Sequence, residues 1–132
     1  MSDLITGHCL CGNVSFEYRG VLGDASYCHC EDCRRHTGSA FNIVIGVASK
    51  NVKLTGAEPA SFTKVADSGR MITRHFCACC GSPVFGSSPS NPTKIYIKAG
   101  VLDDPTKVKA SRQSWLACAV DWAFISPEID SS

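Results

Sequence analysis

Long hydrophobic runs are missing from this sequence: no apolar stretch approaches the ~20 residues that a bilayer-spanning helix needs, so no membrane role beyond a peripheral one is expected. Charge of one sign is equally scarce. Thirteen Lys and Arg stand against twelve Asp and Glu, a formal net charge of +1, and Arg34-Arg35 is the one pair of adjacent basic residues. The clustered positive surface that nucleic-acid binding requires is therefore not expected. There is no internal repeat and no Gly-, Pro- or Ser-rich stretch long enough to separate domains, so residues 1–132 read as one domain. Met1-Ser2-Asp3-Leu4 carries no basic segment followed by an apolar stretch. Export is not expected, and a reduced, cytoplasmic protein fits better.

Cysteine, by contrast, is abundant: nine in 132 residues. An odd count without an export signal argues against a disulfide framework. Seven of the nine form short clusters, Cys9-Leu10-Cys11, Cys28-His29-Cys30-Glu31-Asp32-Cys33 and Cys77-Ala78-Cys79-Cys80. C-x-C and C-x-x-C place thiols on one tight turn, which suits a shared zinc ion. A tetrahedral structural site takes four thiolates, usually two from each of two turns; three protein ligands leave one position for water, substrate or a thiol. Spacing leaves two partitions open. Cys9 and Cys11 can join Cys77 and Cys80, leaving Cys28, Cys30 and Cys33, or Cys30 and Cys33 can join Cys77 and Cys80. Loading two Zn²⁺ on seven thiolates would take the net charge from +1 to about −2, as ligand deprotonation requires.

The pattern is mainly β. Val14, Phe16 and Tyr18 alternate with Ser15, Glu17 and Arg19 as in a half-buried strand. Phe41 to Val47 and Ile95 to Ala99 are denser and read as more buried strands. Further strands are expected at Val52 to Leu54, Phe62 to Val65 and Met71 to Phe76, with connections at Gly20 to Gly23, Gly56 to Pro59 and Gly86 to Pro92. Helix is expected at Glu31 to His36 and after Asp104-Pro105. Gly7, Gly12 and Gly81 flank the cysteine turns, where a residue without Cβ lets the backbone turn tightly.

Gly7-His8-Cys9-Leu10-Cys11-Gly12, the Cys28 to Arg34 cluster, Thr37-Gly38-Ser39-Ala40-Phe41, Arg74-His75-Phe76-Cys77-Ala78-Cys79-Cys80-Gly81-Ser82 and Gly100-Val101-Leu102-Asp103-Asp104-Pro105 occur in order along the chain. In this the chain resembles the glutathione-dependent formaldehyde-activating enzyme family, which includes the relatives of centromere protein V. The resemblance implies an Mss4-like fold of short twisted β-sheets with little helix. It implies two zinc ions per chain, a structural one on Cys9, Cys11, Cys77 and Cys80 and a catalytic one on Cys28, Cys30 and Cys33. The implied activity is that of a carbon–sulfur lyase or synthase joining a small thiol such as glutathione to a small electrophile such as formaldehyde, an S-(hydroxymethyl)glutathione synthase-like reaction. The C-terminal part departs from the family pattern, since Val108-Lys109-Ala110 lacks a histidine found there in many members, although Trp115 remains. The actual thiol and electrophile are left open.

Three thiolates on Zn²⁺ leave one negative charge, which weakens Lewis acidity relative to three imidazoles and favours thiol chemistry: a coordinated thiol loses its proton and becomes a localised nucleophile. His29 is a candidate to orient the site or shuttle a proton. Arg34 and Arg35 are candidates to attract a carboxylate. Thr37, Gly38 and Ser39 are placed by the resemblance near the open position. His8, His36 and His75 read as packing or surface residues, and Cys79 and Cys118 as small buried apolar residues. Trp115, Trp122, Leu116, Val120 and Phe124 read as a cover for the core or an oligomer face. The competing reading is a non-catalytic zinc-binding module with protein partners, whose second site would be closed by a fourth ligand such as Cys118 or a histidine.

Overall fold

The computed structural model describes residues 3–123, 125 and 129–131; Met1, Ser2 and Phe124 lie outside the described residues. The strands are β1 (Asp3–His8), β2 (Ser15–Gly20), β3 (Ala25–Cys28), β4 (Asn42–Ala48), β5 (Val52–Leu54), β6 (Ala60–Val65), β7 (Met71–Phe76), β8 (Pro83–Ser87), β9 (Lys94–Lys98), β10 (Ala110–Ser114) and β11 (Asp130–Ser131), with one α-helix, α1 (Glu31–Thr37). The chain is mainly β, as its alternation implied. β1-β2-β5 form a small sheet, and β11-β10-β3-β4-β9-β8-β7-β6 form a large one.

The core lies between the two sheets. Ile5, Phe16 and Tyr18 from the small sheet meet Ile45, Val47, Ile95 and Ile97 from the large one in a single buried cluster. Each such side chain, fully buried, contributes about 1.5–3 kcal/mol. Successive residues of a strand face opposite ways, so the intervening residues of β4 and β9 face away from this core. The register aligns them: Asn42 lies beside Cys28, Val44 beside Lys98, Tyr96 beside Gly86, and Gly86 beside Arg74. This second face of the large sheet carries the site described below.

Five strands escaped the sequence pattern: β1, β3, β8, β10 and the two-residue β11. In β8 the reason is a β-bulge. His75 pairs with Phe85 but Phe76 pairs with Pro83, so Val84 is the extra residue of the bulge and is wholly buried in the core. The bulge breaks the alternation, and Gly86 and Ser87, read as part of a connection, belong to this strand. Gly20 likewise ends β2. The expected helix after Asp104-Pro105 is a single 3-10 turn, Pro105–Lys107, capped by Asp104.

Gly12 and Gly81 have φ of 83° and 79°, the left-handed region that glycine enters freely. Gly7 serves differently. It lies within β1, and a Cβ there would stand 2.5 Å from the Phe16 ring and 2.6 Å from the Val101 carbonyl oxygen. Gly7→Ala is therefore expected to destabilise the fold by about 1–3 kcal/mol through overpacking, read as a lowered denaturation midpoint; an unchanged midpoint would show that the ring can retreat.

Candidate metal centres and cavity

Two turns build the first cysteine cluster. In one, Cys9 N–H donates to the Val14 carbonyl (2.9 Å), Val14 N–H to Cys9 Sγ (3.3 Å) and Gly12 N–H to the Cys9 carbonyl (3.0 Å). In the other, Cys77 N–H donates to the Ser82 carbonyl (3.0 Å), Gly81 N–H to the Cys77 carbonyl (2.8 Å), and the Cys79 and Cys80 N–H groups to Cys77 Sγ (3.3 and 3.5 Å). N–H donors aimed at sulfur favour thiolates. The Sγ atoms of Cys9, Cys11, Cys77 and Cys80 all lie within 4.8 Å of one another. Cys9 and Cys11 are 3.7 Å apart and Cys11 and Cys77 3.6 Å, close to the ~3.8 Å edge of a tetrahedron with Zn–S bonds of about 2.3 Å. Donor chemistry and spacing both fit zinc. Cys79 stands outside the cluster, exposed, with Asn13 Nδ2 donating to its sulfur at 3.0 Å.

The second cluster is local in sequence. Cys28 ends β3, Cys30 is the N-cap of α1, and Cys33 lies one turn into the helix, its N–H donating to Cys30 Sγ at 3.3 Å. The three sulfurs again lie within 4.8 Å of one another. Among the described residues no fourth Cys, His, Asp or Glu joins them. A hydrogen bond from the Cys33 side chain holds the Cys28 thiol down at about 5, and the same interaction drives the Cys33 thiol up. Metal uptake here must release protons, so affinity should rise with pH.

The trio opens on a cavity of about 190 Å³. Its floor is the outer face of the large sheet, with Asn42, Val44, Tyr96, Lys98, Gly86, Ile72 and Arg74; Asp32 comes from α1, and Ala66 and Asp67 from the turn joining β6 to β7. Asn42 links cavity to trio: its Nδ2 approaches Cys33 Sγ at 3.6 Å, and Lys98 Nζ donates to its Oδ1 at 2.7 Å. Burial pushes Lys98 down to about 8. The neighbouring Arg74 repels it further, and the thiols of Cys33, Cys28 and Cys30 partly restore it.

The other candidates sit elsewhere. His29, Arg34, Thr37, Gly38 and Ser39 are not among the residues lining this cavity. His29 is buried, packs edge-on against Phe41, and shares a 3.1 Å hydrogen bond between Nε2 and Gln113 Oε1. Thr37 Oγ1 donates to the Cys33 carbonyl (2.8 Å) and accepts from Ser39 N–H (3.1 Å), and Gly38 takes φ 68°. These three residues terminate α1. Arg35 pairs with Glu31 on the helix surface at 2.7 Å. His8 approaches Asp103 at 3.3 Å, His75 stacks on Phe85, and His36 is half-buried. Two expectations are reversed: Cys79 and Cys118 are exposed, not buried. Trp115, Leu116 and Trp122 are also exposed and do not cover the core, while Val120 is half-buried.

Asn42, Arg74 and Lys98 were missed, although two of them left a signal. Asn42 and Lys98 are polar residues in apolar strands, in phase with the face opposite Ile43, Ile45 and Ile97, whereas Arg74 sits in a strand of mixed character and joins them through its pairing with Gly86.

The fold and site together define a mainly β protein with a four-thiol cluster joining distant turns and a three-thiol cluster facing a cavity. The chain belongs to the glutathione-dependent formaldehyde-activating enzyme family, whose pattern matches residues 4–118. Its fold is similar to that of a Rhodobacter sphaeroides protein of known crystal structure, with a TM-score of 0.58 at 23% sequence identity over 76% of this chain and 92% of that one.

Proposed function

We propose that this chain is a zinc-dependent enzyme that forms or breaks a carbon–sulfur bond between a small thiol and an aldehyde such as formaldehyde. The observation that carries the reading is the three-thiol cluster opening on a cavity with a buried amine, Lys98. Cys9, Cys11, Cys77 and Cys80 would hold a structural ion, and Cys28, Cys30 and Cys33 the one at the cavity. When bound there, zinc supplies the acidity that ionises a thiol at neutral pH.

The chain's own residues do the rest. Asn42 fixes Cys33 through its amide and Lys98 through its carbonyl. Val44, Ala66 and Ile72 keep the cavity apolar, which strengthens electrostatic interactions within it. In the forward direction the sulfur lone pair forms the S–C bond, the carbonyl π pair moves to oxygen, and that oxygen takes a proton from Lys98 Nζ. The proton lost by the thiol restores the amine, so the reaction is a net addition of S–H across C=O. In reverse, Lys98 removes the hydroxyl proton as the S–C bond breaks.

Zinc-loaded protein with glutathione and formaldehyde is expected to form S-hydroxymethylglutathione faster than the uncatalysed addition, followed by NMR. Cys30→Ser is expected to return the rate to background. If wild type also runs at background and binds no thiol by calorimetry, the enzyme reading gives way to a zinc-binding module that acts through protein partners.

A further inference from the structure

Arg74 is a buried cation without a counter-ion. It is 9% exposed, yet among the described residues the ion pairs are His8–Asp103, Arg35–Glu31 and Lys64–Asp32. No hydrogen bond of its side chain is found among those residues either. Asp67 shares the cavity but is not within ion-pair distance, and Asp32 is engaged by Lys64 at 2.6 Å. Lys98, the other buried cation of the cavity, has only the neutral Asn42 oxygen as its acceptor. Buried charge is normally paired because desolvation is costly, yet these two cations line one cavity without an ion-pair partner among the described residues.

The position of Arg74 is specific. It lines the 190 Å³ cavity and also a shallower hollow of about 360 Å³ formed with Asp32, Arg35, His36, Phe62 and Lys64. It therefore stands where the two meet. The inner cavity is smaller than the ~300–1,000 Å³ usual for drug-sized ligands. It suits the reacting thiol and aldehyde, while Arg74 and Asp32 line both spaces.

We propose that Arg74, which lines both hollows, anchors a carboxylate of the thiol substrate through the guanidinium fork and so decides which thiols the site prefers. This rests on the thiol–aldehyde reading above and adds to it a specificity-determining residue. A planar fork matches a carboxylate with two parallel charge-assisted hydrogen bonds. The carboxylate supplies the counter-ion that the protein withholds.

Calorimetry of zinc-loaded protein with two matched pairs tests this: glutathione against its diethyl ester, and 3-mercaptopropionate against 3-mercaptopropionamide. In at least one pair the acid is expected to bind about tenfold or more tightly than its capped partner, as charge-assisted hydrogen bonds give. Arg74→Gln is expected to abolish that preference and Arg74→Lys to retain part of it. The capped thiols should bind all three proteins alike, with zinc content unchanged. Equal binding of acid and capped thiol by wild type in both pairs would overturn the proposal while leaving the enzyme reading standing. Equal weakening of acid and capped thiols, or loss of zinc, in Arg74→Gln would also overturn it, by assigning Arg74 to balancing the charge of the cysteine trio. Failure of every thiol to bind would remove the enzyme reading and the proposal together. The wild-type comparison precedes any substitution, so a variant that does not fold leaves the acid preference measurable.

Discussion

Cys77→Ser is expected to abolish soluble expression or lower the melting temperature drastically, whereas Cys30→Ser melts close to wild type and loses one zinc. Cys77 is 1% exposed and sits in the core cluster. Its sulfur is a potential ligand alongside Cys9 and Cys11, 66 or more residues away. Structural zinc sites bind with apparent free energies of about 10–16 kcal/mol, as large as the ~5–15 kcal/mol that stabilises a whole domain. Removing one ligand therefore costs a large share of total stability. Cys30 is placed differently. It caps α1 with its side chain, and serine is among the best N-cap residues, so the helix keeps its cap while the ion loses a ligand. Melting curves and zinc analysis on both variants decide the matter; comparable, severe unfolding would make both sites structural.

Lys98→Met is expected to slow the thiol–aldehyde reaction by about 10²–10⁴-fold, the usual contribution of a positioned general acid, without loss of zinc. Stability moves the other way or not at all. Burial lowers the lysine from 10.5 to about 8, which at ~1.36 kcal/mol per unit costs the fold about 3 kcal/mol at neutral pH. Deleting the amine leaves Asn42 Oδ1 without its donor, a loss of about 1–3 kcal/mol. The net change at pH 7 is a gain of about 0–2 kcal/mol. The sign of the pH dependence follows from the lowered value: between about 8 and 10.5 the unfolded chain binds the extra proton. Wild-type stability from this group therefore rises with pH across that window. The rise should vanish in Lys98→Met, and the forward rate of wild type should fall above about pH 8 as Nζ loses its proton. A variant with the wild-type rate would remove Lys98 from the chemistry.

Much of this was legible in the residues, because the signals were local. C-x-C and C-x-x-C spacing marks turns, and the strand around Phe16 and Tyr18 shows clean alternation because one of its faces meets solvent. Spacing alone did not decide which cysteines go together; the folded chain brings Cys9 and Cys11 to Cys77 and Cys80. The cavity was not legible from its neighbours in sequence. His29 and Arg34 flank the cysteines, but they do not line the chamber, whose Asn42, Arg74 and Lys98 come from β4, β7 and β9. Lys98 and Arg74 reach the trio only through strand register. β8 was obscured by its bulge, and β10 is short and polar, held by parallel pairing to β3.

The large sheet is one wall shared by two tasks, and this affects how the protein can diverge. Along β4 and β9 the chain alternates between residues that hold the two sheets together and residues that face the cavity. A change at Ile45 or Ile97 alters packing and leaves the chamber lining in place. A change at Val44 or Tyr96 reshapes the chamber over an undisturbed core. Because the two sets interleave residue by residue, the chamber can be reshaped by altering every second position of two strands, with no loop inserted and no cysteine of either cluster touched.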